Sequence, residues 1–487
     1  MRIPRRKPLT ARIGVVAVGH HTYWQQFPGL LEELMAKVTV LERKLQPHQV
    51  TVLSFGMLDR AQVSYETVPR IRAADLDLLL VDMVTYATSS TFGVLLRELN
   101  LPVVLVALQP LSAMDYARGS TYMQLCNDDL CSVPEFTGVA LRLGKRIPDL
   151  VLGVLEGDPA ADAELGRWCR IAHVLHDLRR ARLGHMGHVL ESMLDMHTDP
   201  TGLTRTFGAH VVQCEAEELL AHYRTAATSD IDAKRQQILS FFTTPEPGSD
   251  PIAVRLTDQD LETAARVAVA LEAFVDDRDL DGLAYYYEGE AGSELRTVVS
   301  NLIVGNSLLC AAGFPMCGEF DIKTCVAMLI MDRLEIGGSF AEFHPVDFER
   351  DSVLVGHDGP HHINIAADQP VLRSLKQYHG KPGAGASVEF RIKEGPITML
   401  SIGVNEHGQF RFVVAEGESI RGPIPPTGNT NTHVRFRPDV RTFLQRWVAA
   451  GPTHHFALGI GHHADTLARI GSLLDVETLV IARDSQD

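Results

Sequence analysis

The chain has 487 residues, 45% of them hydrophobic and 22% charged, and a net charge of −16. That length is too great for one core and calls for about two to four domains of ordinary globular composition. The acidic balance, with no basic stripe, excludes a phosphate-backbone binder, and no apolar run approaches the length of a transmembrane helix.

The opening Met1–Pro8 is basic, but the apolar run that follows, Ile13–Val18, is too short for a signal-peptide core, so the expected location is the cytoplasm. Ile13–Val18 ends in Gly19 and reads as a buried parallel strand. Phe27–Leu45 has helical spacing, with Leu30, Leu31, Leu34, Val38 and Leu41 on one face. Val50–Phe55 is a strand, Val68–Ala74 the end of a helix, Leu78–Val84 a strand, Ser90–Leu99 a helix and Val103–Leu108 a strand. This rhythm predicts a doubly wound sheet, with the loops near His20-His21 and Gln109-Pro110 lining its crevice. The turn after the first strand is Val-Gly-His-His-Thr-Tyr-Trp. It carries neither a dinucleotide fingerprint nor a P-loop, so no nucleotide cofactor is expected.

A second α/β unit is predicted from about residue 168. It comprises a helix over Arg167–Arg182, a strand over Ala209–Gln213, a helix over Glu215–Thr225, a polar loop over Thr243–Pro251, a helix over Leu261–Val275 and a strand over Gly282–Tyr287. After about residue 313 the pattern turns to strand alternation in Ser387–Lys393, Ile397–Val404 and Phe410–Ala415, with Asn405-Glu406-His407-Gly408 as a hairpin loop. A helix over Ala464–Leu474 and a strand over Thr478–Ala482 close the chain. The expected architecture is α/β: an N-terminal Rossmann-like domain (1–167), a central Rossmann-like domain (168–312), and a mainly antiparallel, barrel-like β domain (313–487). Both Rossmann-like domains are doubly wound parallel sheets.

The seven cysteines form no CxxC pair and read as reduced thiols, Cys126 included, while the 21 histidines are too many for their number to select a site. Four residues in the last third stand at element ends, flanked by glycine, proline or apolar runs: Glu319, Glu342, His357 and His455. Taken singly, Glu319 is a carboxylate favoured near a helix start, Glu342 a strand-edge charge and His357 a polar residue near a turn. Two carboxylates with two imidazoles would also suit Mn²⁺, Mg²⁺, Co²⁺ or Zn²⁺.

Grouping the four rests on a resemblance. Gly318-Glu319, Ser339-Phe340-Ala341-Glu342, Val353-Leu354-Val355-Gly356-His357 and Gly451-Pro452-Thr453-His454-His455 occur in the order seen in the L-arabinose isomerase and L-fucose isomerase superfamily. The chain also resembles that family in its first strand with Gly19-His20-His21, and in Met123–Gly138, which contains Glu135-Phe136. The likeness implies a metal-dependent aldose–ketose isomerase acting on a free pentose, hexose or deoxysugar by cis-enediol proton transfer. Glu319 and Glu342 would be acid–base residues, with Glu319 at the start of a helix. Those two with His357 and His455 would hold a divalent ion, Mn²⁺ first, with Co²⁺ or Mg²⁺ as alternatives. Asp321, Asp358 and His454 would support the ligands. His21, Cys131, Glu135 and His454 would touch the sugar.

Two departures bear on which sugar is bound. Cys131 stands where arabinose isomerases commonly have histidine, and His21 near where they have glutamine. The family also implies a homo-oligomer, a hexamer, with sites shared between subunits, and neither a nucleic-acid nor a membrane partner. A related metal-dependent sugar epimerase and a non-catalytic sugar-binding protein remain the alternatives.

Overall fold

The apolar runs of the first third do pair as parallel strands. The computed structural model describes residues 3–190, 192–246, 248, 255–359, 361–374, 377–378, 381–382, 385–425 and 427–483. Contacts divide the chain into two compact units, one of Leu9–Asp177 and one of Met1–Pro8 with Leu178–Asp487.

In the 9–177 unit, β1 (Arg12–Val18), β2 (Thr51–Leu58), β3 (Leu78–Asp82), β4 (Val103–Gln109) and β5 (Leu150–Val154) form one parallel sheet in the order β2-β1-β3-β4-β5. Strand order reverses between β1 and β3, and their following loops carry His20-His21 and Tyr86. The helix expected over Phe27–Leu45 begins three residues later, at Leu30. A short helix, Thr22–Gln26, is followed by Gly29 at φ 88°, a left-handed turn residue, and the long helix then runs Leu30–Leu45.

The larger unit contains a parallel sheet of β6 (Arg182–Gly187), β7 (His210–Cys214), β8 (Gly282–Tyr286) and β9 (Met316–Cys317), ordered β7-β6-β8-β9. The helix expected over Arg167–Arg182 instead runs Pro159–Leu178, and Arg182–Gly187 is a strand. The mixed sequence Arg-Leu-Gly-His-Met-Gly hides its strand character until both neighbours cover it. Residues 247 and 249–251 of the polar loop lie outside those described.

The rest is β-rich. β10 (Gly337–Asp347) and β11 (Ser352–His357) are followed by two small pairs, β12 (Val371–Ser374) with β15 (Ala386–Glu389) and β13 (Gln377–Tyr378) with β14 (Lys381–Pro382). Then come β16 (Gly395–Val404), β17 (Phe410–Ile420), β18 (Thr430–Arg435), β19 (Phe456–Ile460) and β20 (Glu477–Ala482). The order β16-β19-β10-β11-β18-β17 closes on itself because β16 also pairs with β17, making an antiparallel six-stranded barrel with β20 added in parallel on β17. Met399, Val413, Val355, Leu458 and Trp447 are among its buried core. Helix Ile322–Arg333 is buried along all twelve residues and packs beside β10, β16 and β19. An amphipathic stripe is not needed where every face is covered, so the helix carries no periodic apolar signal.

Candidate metal and acid–base site

Register in the barrel brings distant residues level. Glu342 on β10 pairs with Gly356 on β11, and His357 ends that strand. Ala341 pairs with Phe456 on β19, so His455, one residue before that strand, comes level with Glu342 on the other side. A Cβ on Gly356 would fall 2.0 Å from the Thr430 carbonyl oxygen, so the position ahead of His357 has no room for a side chain.

Glu319 arrives differently. It does not start a helix: Ile322–Arg333 is capped by Asp321, and Glu319 and Phe320 precede it at φ 56° and 65°. Two successive non-glycine residues in the left-handed region cost on the order of 1 kcal/mol or more each, so the surroundings must hold them. They do. The Phe320 N–H donates to the Tyr285 carbonyl at 3.1 Å, the Phe320 carbonyl accepts from His185 Nε2 at 3.2 Å, and the two rings stack with centroids 3.3 Å apart.

The four carboxylate and imidazole groups meet. His455 Nε2 is 3.2 Å from Glu319 Oε2, and His357 Nε2 is 3.9 Å from Glu319 Oε1 and 3.8 Å from Glu342 Oε1. Glu319 Oε2, His357 Nε2 and His455 Nε2 are buried, yet none makes a hydrogen bond among the described residues. Desolvated donor atoms aimed at one another rather than aligned as hydrogen bonds fit a shared cation. Glu342, His357 and His455 each offer an atom within 4.8 Å of the others, and so do Glu319, His454 and His455. In the second group His454 already has a partner, because its Nε2 donates to Glu342 Oε2 at 2.7 Å.

Neighbours fix each ligand. His455 Nδ1–H donates to Asp321 Oδ2 at 3.1 Å, which points Nε2 at Glu319 and would leave it a lone pair for a bound ion, while Asp321 also accepts from Thr324 N and Thr324 Oγ1. Asp358 Oδ1 lies 2.9 Å from His357 Nδ1. The buried Phe340 ring touches both imidazoles, with centroids 4.5 Å from His357 and 4.3 Å from His455.

Electrostatics follow this geometry. Burial works to raise the Glu342 carboxyl, but the hydrogen bond from His454 and the charges of His357, His454 and His344 outweigh it and bring it to about 2. Glu319 is lowered likewise: burial opposes, and His455 and His357 prevail. Burial lowers the His455 imidazole, but Asp321 and Glu319 raise it to about 9 in the metal-free chain. The site therefore holds opposed charges that a bound cation would reorganise.

Four residues here were not singled out in the sequence: Phe340, His185, Asp195 and Lys323. Asp195 Oδ2 accepts from Thr453 Oγ1 at 3.2 Å and from His454 N at 2.9 Å, and the Asp195 carbonyl accepts from the buried Lys323 Nζ at 2.5 Å. Lys323 is also 3.7 Å from Asp321. None has a local signal. Only the place of Lys323, between Ile322 and the largely apolar run Thr-Cys-Val-Ala-Met-Leu-Ile-Met, hints that its ammonium needs a partner.

His21, Cys131 and Glu135 lie in the 9–177 unit and are exposed. Cys131, Asp128, Tyr23 and Tyr86 are neighbours there: burial raises the Tyr23 phenol, and Tyr86, Asp128 and Cys131 add to it. The His21 ring meets that of His20 at 5.2 Å, and Glu135 accepts from the Ser89 N–H at 3.0 Å.

Residues 337–477, which carry Glu342, His357, His454 and His455, match the family described as L-arabinose isomerase C-terminal domain. Curated relatives extend the likeness along the chain. An L-arabinose isomerase of Nocardioides sp. is 25% identical over 433 residues, 85% of this chain and 84% of that one. Residues 337–477 thus match an L-arabinose isomerase domain, and most of the chain is similar to L-arabinose isomerases. L-arabinose isomerases from Aeromonas hydrophila (24% identical, 72% of this chain, 69% of that one) and Klebsiella pneumoniae (24% identical, 68% and 66%) align in the same way. The parallel-sheet domains followed by an antiparallel barrel are the architecture expected of a superfamily member.

Proposed function

We propose that the chain is a sugar isomerase: an intramolecular oxidoreductase that interconverts a free aldose and its ketose with a divalent ion, Mn²⁺ first and Co²⁺ or Mg²⁺ as alternatives. One observation carries this reading, the convergence of two carboxylates and two imidazoles, with the buried Glu319 Oε2, His357 Nε2 and His455 Nε2 lacking hydrogen-bond partners among the described residues. The names of the similar proteins support the substrate class and put L-arabinose first among the sugars to test.

Glu319, Glu342, His357 and His455 would hold the ion, which when bound would supply Lewis-acid polarisation of the substrate carbonyl. The carboxylates move the protons. One removes the proton from C2 of the aldose as the C1 carbonyl oxygen takes one, which gives a cis-enediol. The same group returns its proton to C1 while the O2 hydroxyl proton leaves, and the ketose results. His454 holds Glu342 in place, and Asp321 sets the His455 tautomer.

His21, Cys131, Glu135 and His454 are proposed to contact the sugar. The proposal extends to three working domains (1–167, 168–312, 313–487) and to a cytoplasmic homohexamer in which one chain completes another's site. Among the described residues, no helix is long and apolar enough to cross a membrane.

The test is a screen of pentoses, hexoses and deoxysugars for ketose formation by the chelator-stripped chain, with and without added Mn²⁺. Turnover that vanishes on stripping and returns with the ion is expected. Full turnover with no metal by elemental analysis, or none with any sugar and ion, overturns the reading.

A further inference from the structure

Helix Ile322–Arg333 has Asp321 and the ligand cluster at its N-terminal end. Its other end, roughly 16 Å along the axis, borders a different cavity. That cavity has a volume of about 860 Å³, room for more than one sugar ring. Phe241, Ile336, Ile365 and Ile460 give it apolar walls, and Arg5, Asp332, His362 and Lys393 supply much of its polar lining.

The Asp332 carboxylate organises the polar side. It pairs with Arg5, with Arg333 and, at 3.2 Å, with His362 Nε2. Two buried polar atoms around it have no hydrogen-bond partner among the described residues, Arg5 Nε and His362 Nδ1. His362 is 6% exposed. With Nε2 turned to Asp332, His362 Nδ1 faces away from the carboxylate, and Arg5 Nε–H is a donor. Two unpartnered polar atoms set around the same carboxylate suit a hydroxyl group, which can both donate and accept.

Charge narrows the ligand further. Arg5 is committed to Asp332, and Lys393 Nζ donates to the Asn364 carbonyl at 3.2 Å. The lining carboxylates Asp332, Glu335 and Asp368 outnumber the two cations, which disfavours an anion. An aromatic ring, aliphatic walls and a hydroxyl-matching pair suit a neutral polyhydroxylated molecule.

We infer that this cavity is a second saccharide site, separate from the Glu319–His455 centre and independent of any reaction there. The probe is trehalose, a neutral disaccharide with no free carbonyl to isomerise. Calorimetric titration of the full chain, with and without Mn²⁺, should give one saturable site per chain. Ser240→Trp, at an exposed rim position, should weaken binding about tenfold or more by filling the mouth. His362→Leu should do the same by removing the ring nitrogen, and Glu342→Gln should leave binding within twofold. Absence of saturable binding would mean a cavity that holds water only, and would overturn the inference. So would binding lost in Glu342→Gln, or unchanged in Ser240→Trp, whose surface position keeps the test open if His362→Leu fails to fold.

Discussion

Replacing Asp321 with Asn separates ligand orientation from helix capping. Asn caps a helix as well as Asp does, so the bond from Thr324 N survives on the amide oxygen. The amide NH₂ then occupies the place of Oδ2, which now accepts from His455 Nδ1. Two donors cannot face each other, and His455 responds by moving its proton to Nε2. That removes the lone pair that Nε2 would offer a bound ion. Loss of such an orienting partner typically weakens metal binding about 10–100-fold, or about 1.4–2.7 kcal/mol.

A second effect must be told apart. The buried Lys323 ammonium loses its nearby carboxylate, keeping only the Asp195 carbonyl and Thr198 Oγ1, and this lowers stability. Mn²⁺ affinity by competition with a fluorescent chelator reads the first effect, and denaturant melts of the metal-free chain read the second. Lys323→Met added to Asp321→Asn should recover stability and leave affinity low. Affinity within twofold of the parent in folded Asp321→Asn, or affinity restored by Lys323→Met, refutes the tautomer argument.

Glu319→Gln and Glu342→Gln should each slow ketose formation by about 10²–10⁴-fold, measured alongside bound metal; a near-normal rate at normal metal content would remove that residue from proton transfer. Phe340→Ala, at a position 1% exposed, should cost about 3–5 kcal/mol in denaturant melts and loosen ion binding as well, since its ring touches both imidazoles. Burial opposes ionisation of Asp332, but His362, Arg333 and Arg5 hold its carboxyl well below the usual range. Its contribution should therefore be complete above about pH 4 and shrink as pH falls further, so melts of the parent and Asp332→Asn should converge in acid and separate at neutrality.

The alternation of apolar runs with helical spacing was enough to place β1 to β4 and the long helices of the 9–177 unit, because parallel strands buried on both faces leave an unbroken hydrophobic signature. The hairpin at Asn405–Gly408 was legible for its turn chemistry. The strand Arg182–Gly187 was not, since two glycines, an arginine and a histidine give it no periodicity. Nor was the left-handed pair Glu319-Phe320, which depends on His185 and Tyr285 from elsewhere in the chain. Glu319, Glu342, His357 and His455 could be grouped only through ordered motifs, for nothing local joins His357 to His455. Asp195 and Lys323 escaped notice because their roles exist only once the turn at Thr453 and the buried helix are in place.

The ladder that sets Glu342 opposite Gly356 and Ala341 opposite Phe456 also makes the candidate centre indifferent to chain length. Adjacent strands lie about 4.8 Å apart whatever joins them, so the two small strand pairs and the loops between β11 and β19 can lengthen or shorten without moving an imidazole. A slip of one rung is another matter. It would turn Glu342 to the opposite face of β10 and disperse the cluster while barely altering the hydrogen-bond total. Drift in this chain is therefore expected to accumulate as insertions in those connections, with the rungs at 341–342, 356 and 456 held fixed.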